Sequence, residues 1–93
     1  MSATISVLRV SGGDPMSFDV TVREANGETR HRVTLSQDDL ARLAGEANAE
    51  AMIEASFRFL LDREPKEMIL PRFDVSVISR YFPDFEKTLP AYF

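Results

Sequence analysis

The chain has no cysteine, no tryptophan and a single histidine among its 93 residues. Without cysteine there is no disulfide, no thiolate metal ligand and no thiol nucleophile. A lone histidine excludes histidine-clustered metal sites, and no Asp/Asn/Gly run has calcium-loop spacing, so no metal or cofactor is expected. Uncharged stretches fall well short of the roughly 20 apolar residues that span a bilayer. Met1 to Val10 shows no basic region leading into an apolar one, which argues against a secretory signal. These absences lead us to expect a cytoplasmic protein with no membrane partner. A basic excess is also missing. The net charge is −4, with residues 1–35 balanced and the acidic surplus carried by the remainder. Phosphate neutralisation drives nucleic-acid affinity, so this balance disfavours nucleic acid as a partner.

What is present suits a single α+β domain spanning residues 1–93. The 44% hydrophobic content is that of a globular chain, and the length leaves no room for two cores. Thr4 to Val10 is rich in strand formers and stops at the turn-forming run Ser11-Gly12-Gly13-Asp14-Pro15. Phe18, Val20 and Val22 alternate with Asp19, Thr21 and Arg23, the period of a half-buried strand. Asn26-Gly27 then signals a hairpin, and His31, Val33 and Leu35 alternate with Arg30, Arg32 and Thr34 beyond it. A two-residue loop at Asn26-Gly27 pairs Ala25 with Glu28, Val22 with His31, Val20 with Val33 and Phe18 with Leu35. It also sets Arg23 against Arg30.

Ser36 reads as a helix N-cap with Asp39 three residues on, and Leu35 and Leu40 stand at the staple positions flanking it. An apolar stripe over Leu40, Leu43, Ala44 and Ala47 gives way to a rotated one from Met52 to Leu61. Gly45 and Asn48 lie between, which indicates a break or kink; the alternative is one helix over residues 36–63, of about 27 residues and longer than globular helices usually run. Pro65 ends the second helix, Asp74 reads as a further cap, and Pro83 closes the segment it starts. The expected architecture is a three-stranded antiparallel sheet, an N-terminal meander, followed by three or four helices packed on one face.

The run Ser56-Phe57-Arg58-Phe59-Leu60-Leu61-Asp62-Arg63-Glu64-Pro65, continuing to Phe73-Asp74 and Ile78-Ser79-Arg80-Tyr81-Phe82-Pro83, resembles a family of short bacterial proteins. That family carries no assigned activity, so the resemblance implies a bacterial, cytoplasmic protein and transfers no site residue.

Candidate sites follow from residue type and place. His31 falls on the apolar face of the hairpin, either as a general base at a pocket edge or as a histidine at the rim of the core. Arg23, Arg30 and Arg32, with Arg9 on the first strand, would form a cationic sheet face for an anion or an acidic partner. A solvated face of mixed charge is the plainer alternative. Phe85, Tyr92 and Phe93 make the C-terminus apolar for a free tail, so it docks either on its own domain or on a neighbour. Gly12-Gly13-Asp14-Pro15 is similar to the start of the nucleotide-cyclase signature but lacks the residues that follow it there, and reads as a connection. Arg63-Glu64-Pro65-Lys66-Glu67 reads as a solvated helix end or a partner-facing knuckle. The function expected from this is a non-enzymatic protein-interaction or accessory module that binds itself or another protein. A nucleic-acid-associated protein using the arginine face, and a ligand binder or enzyme near His31, are the alternatives.

Overall fold

Alternating apolar residues need a second layer to cover them, and the C-terminal two thirds of the chain supplies it. A computed structural model describes residues 3–93. It shows an α+β domain whose sheet has the order β1-β2-β3-β4. The strands are β1 (Thr4–Ser11), β2 (Met16–Glu24), β3 (Gly27–Leu35) and β4 (Arg72–Asp74). The helices are α1 (Gln37–Leu43), α2 (Ala49–Leu61), α3 (Ile78–Tyr81) and α4 (Phe85–Thr88), with 3-10 turns at Lys66–Met68, Val75–Val77 and Leu89–Tyr92.

The meander is antiparallel as expected, but its register differs by two residues. Glu24 pairs with Gly27, Val22 with Thr29, Val20 with His31 and Phe18 with Val33. The loop residues are therefore Ala25 and Asn26, and neither adopts positive φ. Gly27, at φ 134°, opens β3 in a conformation that side chains resist. A shift of two keeps every side chain on its face, so Phe18, Val20, Val22, His31, Val33 and Leu35 remain buried. What changes is the pairing on the outer face: Arg23 stands opposite Glu28, not Arg30, and Arg32 stands opposite Asp19.

β4 is a correction to the three-stranded expectation. It pairs in parallel with β3, Val33 against Phe73 and Thr34 against Asp74. Asp74 then works twice. Its carboxylate accepts hydrogen bonds from the Thr34 hydroxyl at 2.6 Å and from the Ser76 N–H at 3.0 Å, capping the turn that leads into α3. Burial works against the Asp74 charge, but these donors prevail and hold its carboxyl below the ordinary aspartate range. A carboxylate with a lowered folded pKa contributes stability above its unfolded pKa and loses it as pH falls through the folded value. We expect Asp74→Ala to cost about 1 kcal/mol at neutral pH, the worth of a half-exposed cap. In urea unfolding, the gap between the variant and the parent should close below about pH 4. A gap that is constant with pH would disprove the charge-linked role.

The helical layer is centred on α2. Ser36 caps α1 through a 3.0 Å hydrogen bond from the Asp39 N–H, and Asn48 caps α2 through a 2.8 Å bond from the Ala51 N–H. Gly45, at φ 60°, makes the break between them. α2 buries Met52, Ile53, Ala55, Ser56, Phe57, Phe59 and Leu60, leaving an outer strip where Glu54 and Arg58 form an i,i+4 pair. A helix buried on opposite sides must be covered twice. Phe57 faces the sheet, 5.3 Å from the His31 ring, while Phe59 meets Phe82, Phe85 and Tyr92 edge-on at 5.8, 5.0 and 5.9 Å.

Candidate functional site

Each residue singled out from the sequence has a definite place. His31 is 5% exposed and packs on Phe57. Its Nδ1 lies 2.8 Å from the Leu70 carbonyl, and its Nε2 lies 2.8 Å from the Thr29 hydroxyl. A carbonyl only accepts, so Nδ1 donates, and in the neutral ring Nε2 accepts the Thr29 hydroxyl proton. With both nitrogens engaged inside the core, His31 tethers β3 to the segment entering β4. No free nitrogen faces a cleft.

The arginines do not form a free cationic face. Arg23 and Arg30 share the Glu28 carboxylate at 3.0 and 3.2 Å, and their hydrogen bonds hold Glu28 below the ordinary glutamate range. Arg32 pairs with Asp19 across the strands. Arg9 crosses to Glu50 on α2 at 2.7 Å and lies over the Phe18 ring. The outer sheet face is shallowly concave, with Leu8, Asp19, Thr21, Arg30, Arg32 and Arg72 among its lining.

The tail docks on its own domain. Phe85 and Leu89 are fully buried, so Phe85 belongs to the core and not to a partner surface. The Tyr92 hydroxyl donates to Asp62 at 2.6 Å and receives a bond from Arg63 at 3.3 Å. Arg63 also pairs with Asp84 and lies 3.6 Å above the Phe59 ring. Only Phe93, half exposed, remains on the surface.

The knuckle after α2 proves to be partly interior. Lys66 is 1% exposed, and its ammonium spends its three donors on Glu67 at 2.8 Å, Glu24 at 3.0 Å and Asn26 at 3.0 Å. The charged pairs with Glu67 and then Glu24 raise its pKa. It thereby fastens the β2–β3 turn to the end of α2. A lysine beside Pro65 in a charge-dense run gives no sign of burial, so this role is not legible from spacing.

Two apolar surfaces remain. One runs along the edge strand β1 at the rim of the outer sheet face, where Leu8 is 64% and Val10 43% exposed. The second is a cavity of about 400 Å³ between the end of α2, the Lys66–Met68 turn and α3, lined by Leu60, Met68, Leu70, Phe73, Tyr81 and Phe82, with Glu64 as its one carboxylate. The exposed pair Leu8 and Val10 is not distinguished within the strand-forming run Thr4 to Val10, and the cavity's walls are far apart along the chain. Among the described residues, no group of three or more His, Asp or Glu is placed to hold a metal ion, and no helix is long and apolar enough to cross a membrane. No family model, no curated protein and no solved structure matches the chain.

Proposed function

We propose that this protein is a non-enzymatic interaction module that binds a protein partner through the open edge of β1. The observation that carries this reading is the state of that strand. β1 pairs with β2 on one side only, its register slips between Arg9 and Ser11, and Leu8 and Val10 stand exposed along it. An edge with unpaired backbone groups and outward apolar side chains is a template for strand addition, by another protein or by a second copy. The occupied nitrogens of His31 count against general-base chemistry there. The carboxylate partners of Arg9, Arg23, Arg30 and Arg32 count against phosphate binding, which would have to displace them.

The test is capture from lysate of the source cell, with and without nuclease, using the tagged parent and a Leu8→Glu/Val10→Glu double variant. Both positions are exposed, so the fold should change by less than about 1 kcal/mol. A defined protein held by the parent and lost by the variant is the expected result. Self-pairing would instead appear as a doubled mass in light scattering that the same variant abolishes. Equal recovery by both proteins would remove the β1 edge from consideration, and recovery that vanishes with nuclease would favour the arginine face and nucleic acid.

A further inference from the structure

Beyond the β1 edge, the cavity past the other side of the sheet has the makings of a second site. Its walls are apolar side chains from the end of α2, the 3-10 turn, β4 and α3, and three of them, Met68, Leu70 and Tyr81, are 66%, 44% and 68% exposed. A volume of about 400 Å³ falls within the roughly 300–1,000 Å³ of small-ligand clefts. Exposed apolar residues gathered around one hollow mark a place where something binds.

Glu64 sets the chemistry. Among the described residues it is the only charged one lining the hollow, and its carboxylate has no hydrogen-bond or ion-pair partner. Arg63 precedes it and Lys66 follows two residues on, yet both cations are committed elsewhere. Arg63 turns to Asp84 and Tyr92, and Lys66 turns inward to Glu24, Glu67 and Asn26. Burial alone pushes the Glu64 carboxyl above the ordinary glutamate range. An unpaired carboxylate beside an apolar wall is complementary to an apolar body that carries one ammonium or other cationic donor.

We infer that this cavity is a binding site for a small organic amine, its apolar body against Leu60, Phe73 and Phe82 and its ammonium on the Glu64 carboxylate. The site is independent of the β1 edge, and its test does not depend on any protein partner. Hexylamine, hexanol and hexanoate serve as probes of one length and three head groups, titrated into the full chain near neutral pH and read by backbone amide shifts. Hexylamine should move the signals of Met68, Leu70 and Tyr81 and bind at least about tenfold tighter than hexanol, the scale of one charge-assisted hydrogen bond. Hexanoate should bind weakest. Glu64→Gln should lower hexylamine to the level of hexanol and leave hexanol unchanged. Its unperturbed spectrum elsewhere would show that the fold is intact. The inference is overturned if none of the probes binds, if hexylamine and hexanol bind alike, if the preference survives Glu64→Gln, or if the shifts map away from the cavity.

Discussion

A chain truncated after Pro83 should fail to fold. The truncation removes Phe85 and Leu89, both fully buried, and Tyr92, which is packed edge-on against Phe59. Each such side chain contributes about 1.5–3 kcal/mol through burial, and the hollow left over α2 adds to the loss. The domain as a whole is worth only about 5–14 kcal/mol at its length. Phe59 would lose two of its three aromatic neighbours, and Arg63 would lose Asp84 and Tyr92. The full chain should show a cooperative thermal transition by circular dichroism, and the truncated chain none. Phe85→Ala, which removes one anchor, should fall between them at about 3–5 kcal/mol. A truncated chain that melts like the parent would mean that the tail is dispensable and that its aromatics are free for a partner.

That outcome bears on what was legible in the sequence. An apolar C-terminus announces that it docks, but not where, because the surface that receives it is the second buried side of α2. The Met52–Leu61 stripe was wide enough to hold Phe57 and Phe59, and two residues lying some 200° apart on a helix require cover on two sides. In this sense the tail's destination was written in α2. The strand count was not. Arg72–Asp74 is too short to show a period and follows a proline, and its pairing with β3 depends on the whole crossover through α1 and α2.

The hairpin register teaches a different lesson. Apolar alternation cannot distinguish registers that differ by two, so the choice fell to the turn, and Asn26-Gly27 suggested the wrong loop. The outer face held the deciding signal. The register read from the turn opposes Arg23 to Arg30, whereas the observed one opposes Arg23 to Glu28 and Arg32 to Asp19. Cross-strand charge pairs are worth a few tenths of a kcal/mol each, enough to discriminate when the core is indifferent. The same pairs dissolve the cationic patch, so an error of two residues in the fold became an error in the candidate site. The cavity around Glu64 was beyond reach, because its walls come from four separate segments and its unpaired carboxylate stands out only once Arg63 and Lys66 are seen to turn away.

His31→Ala should be costly for a residue that the sequence offered as a polar site, at about 2–4 kcal/mol in urea unfolding. The ring fills space against Phe57 beneath a sheet whose neighbouring side chains are almost wholly buried. Its loss also orphans the Thr29 hydroxyl and the Leu70 carbonyl. Leu70 is 44% exposed, so water can reach part of what the imidazole leaves, which keeps the cost below that of an unsatisfied group deep in the core. His31→Phe separates the two contributions. It restores the packing volume and should recover most of the packing loss while still forfeiting about 1 kcal/mol or more for the missing hydrogen bonds. Because Leu70 and Phe73 line the cavity beside Glu64, loosening this tether should also increase hydrogen exchange over residues 70–74 in both variants, more in the alanine than in the phenylalanine. If His31→Ala unfolds like the parent, with exchange unchanged, the histidine is not a structural tether. A conserved fold with an idle buried imidazole would then reopen a chemical role for it.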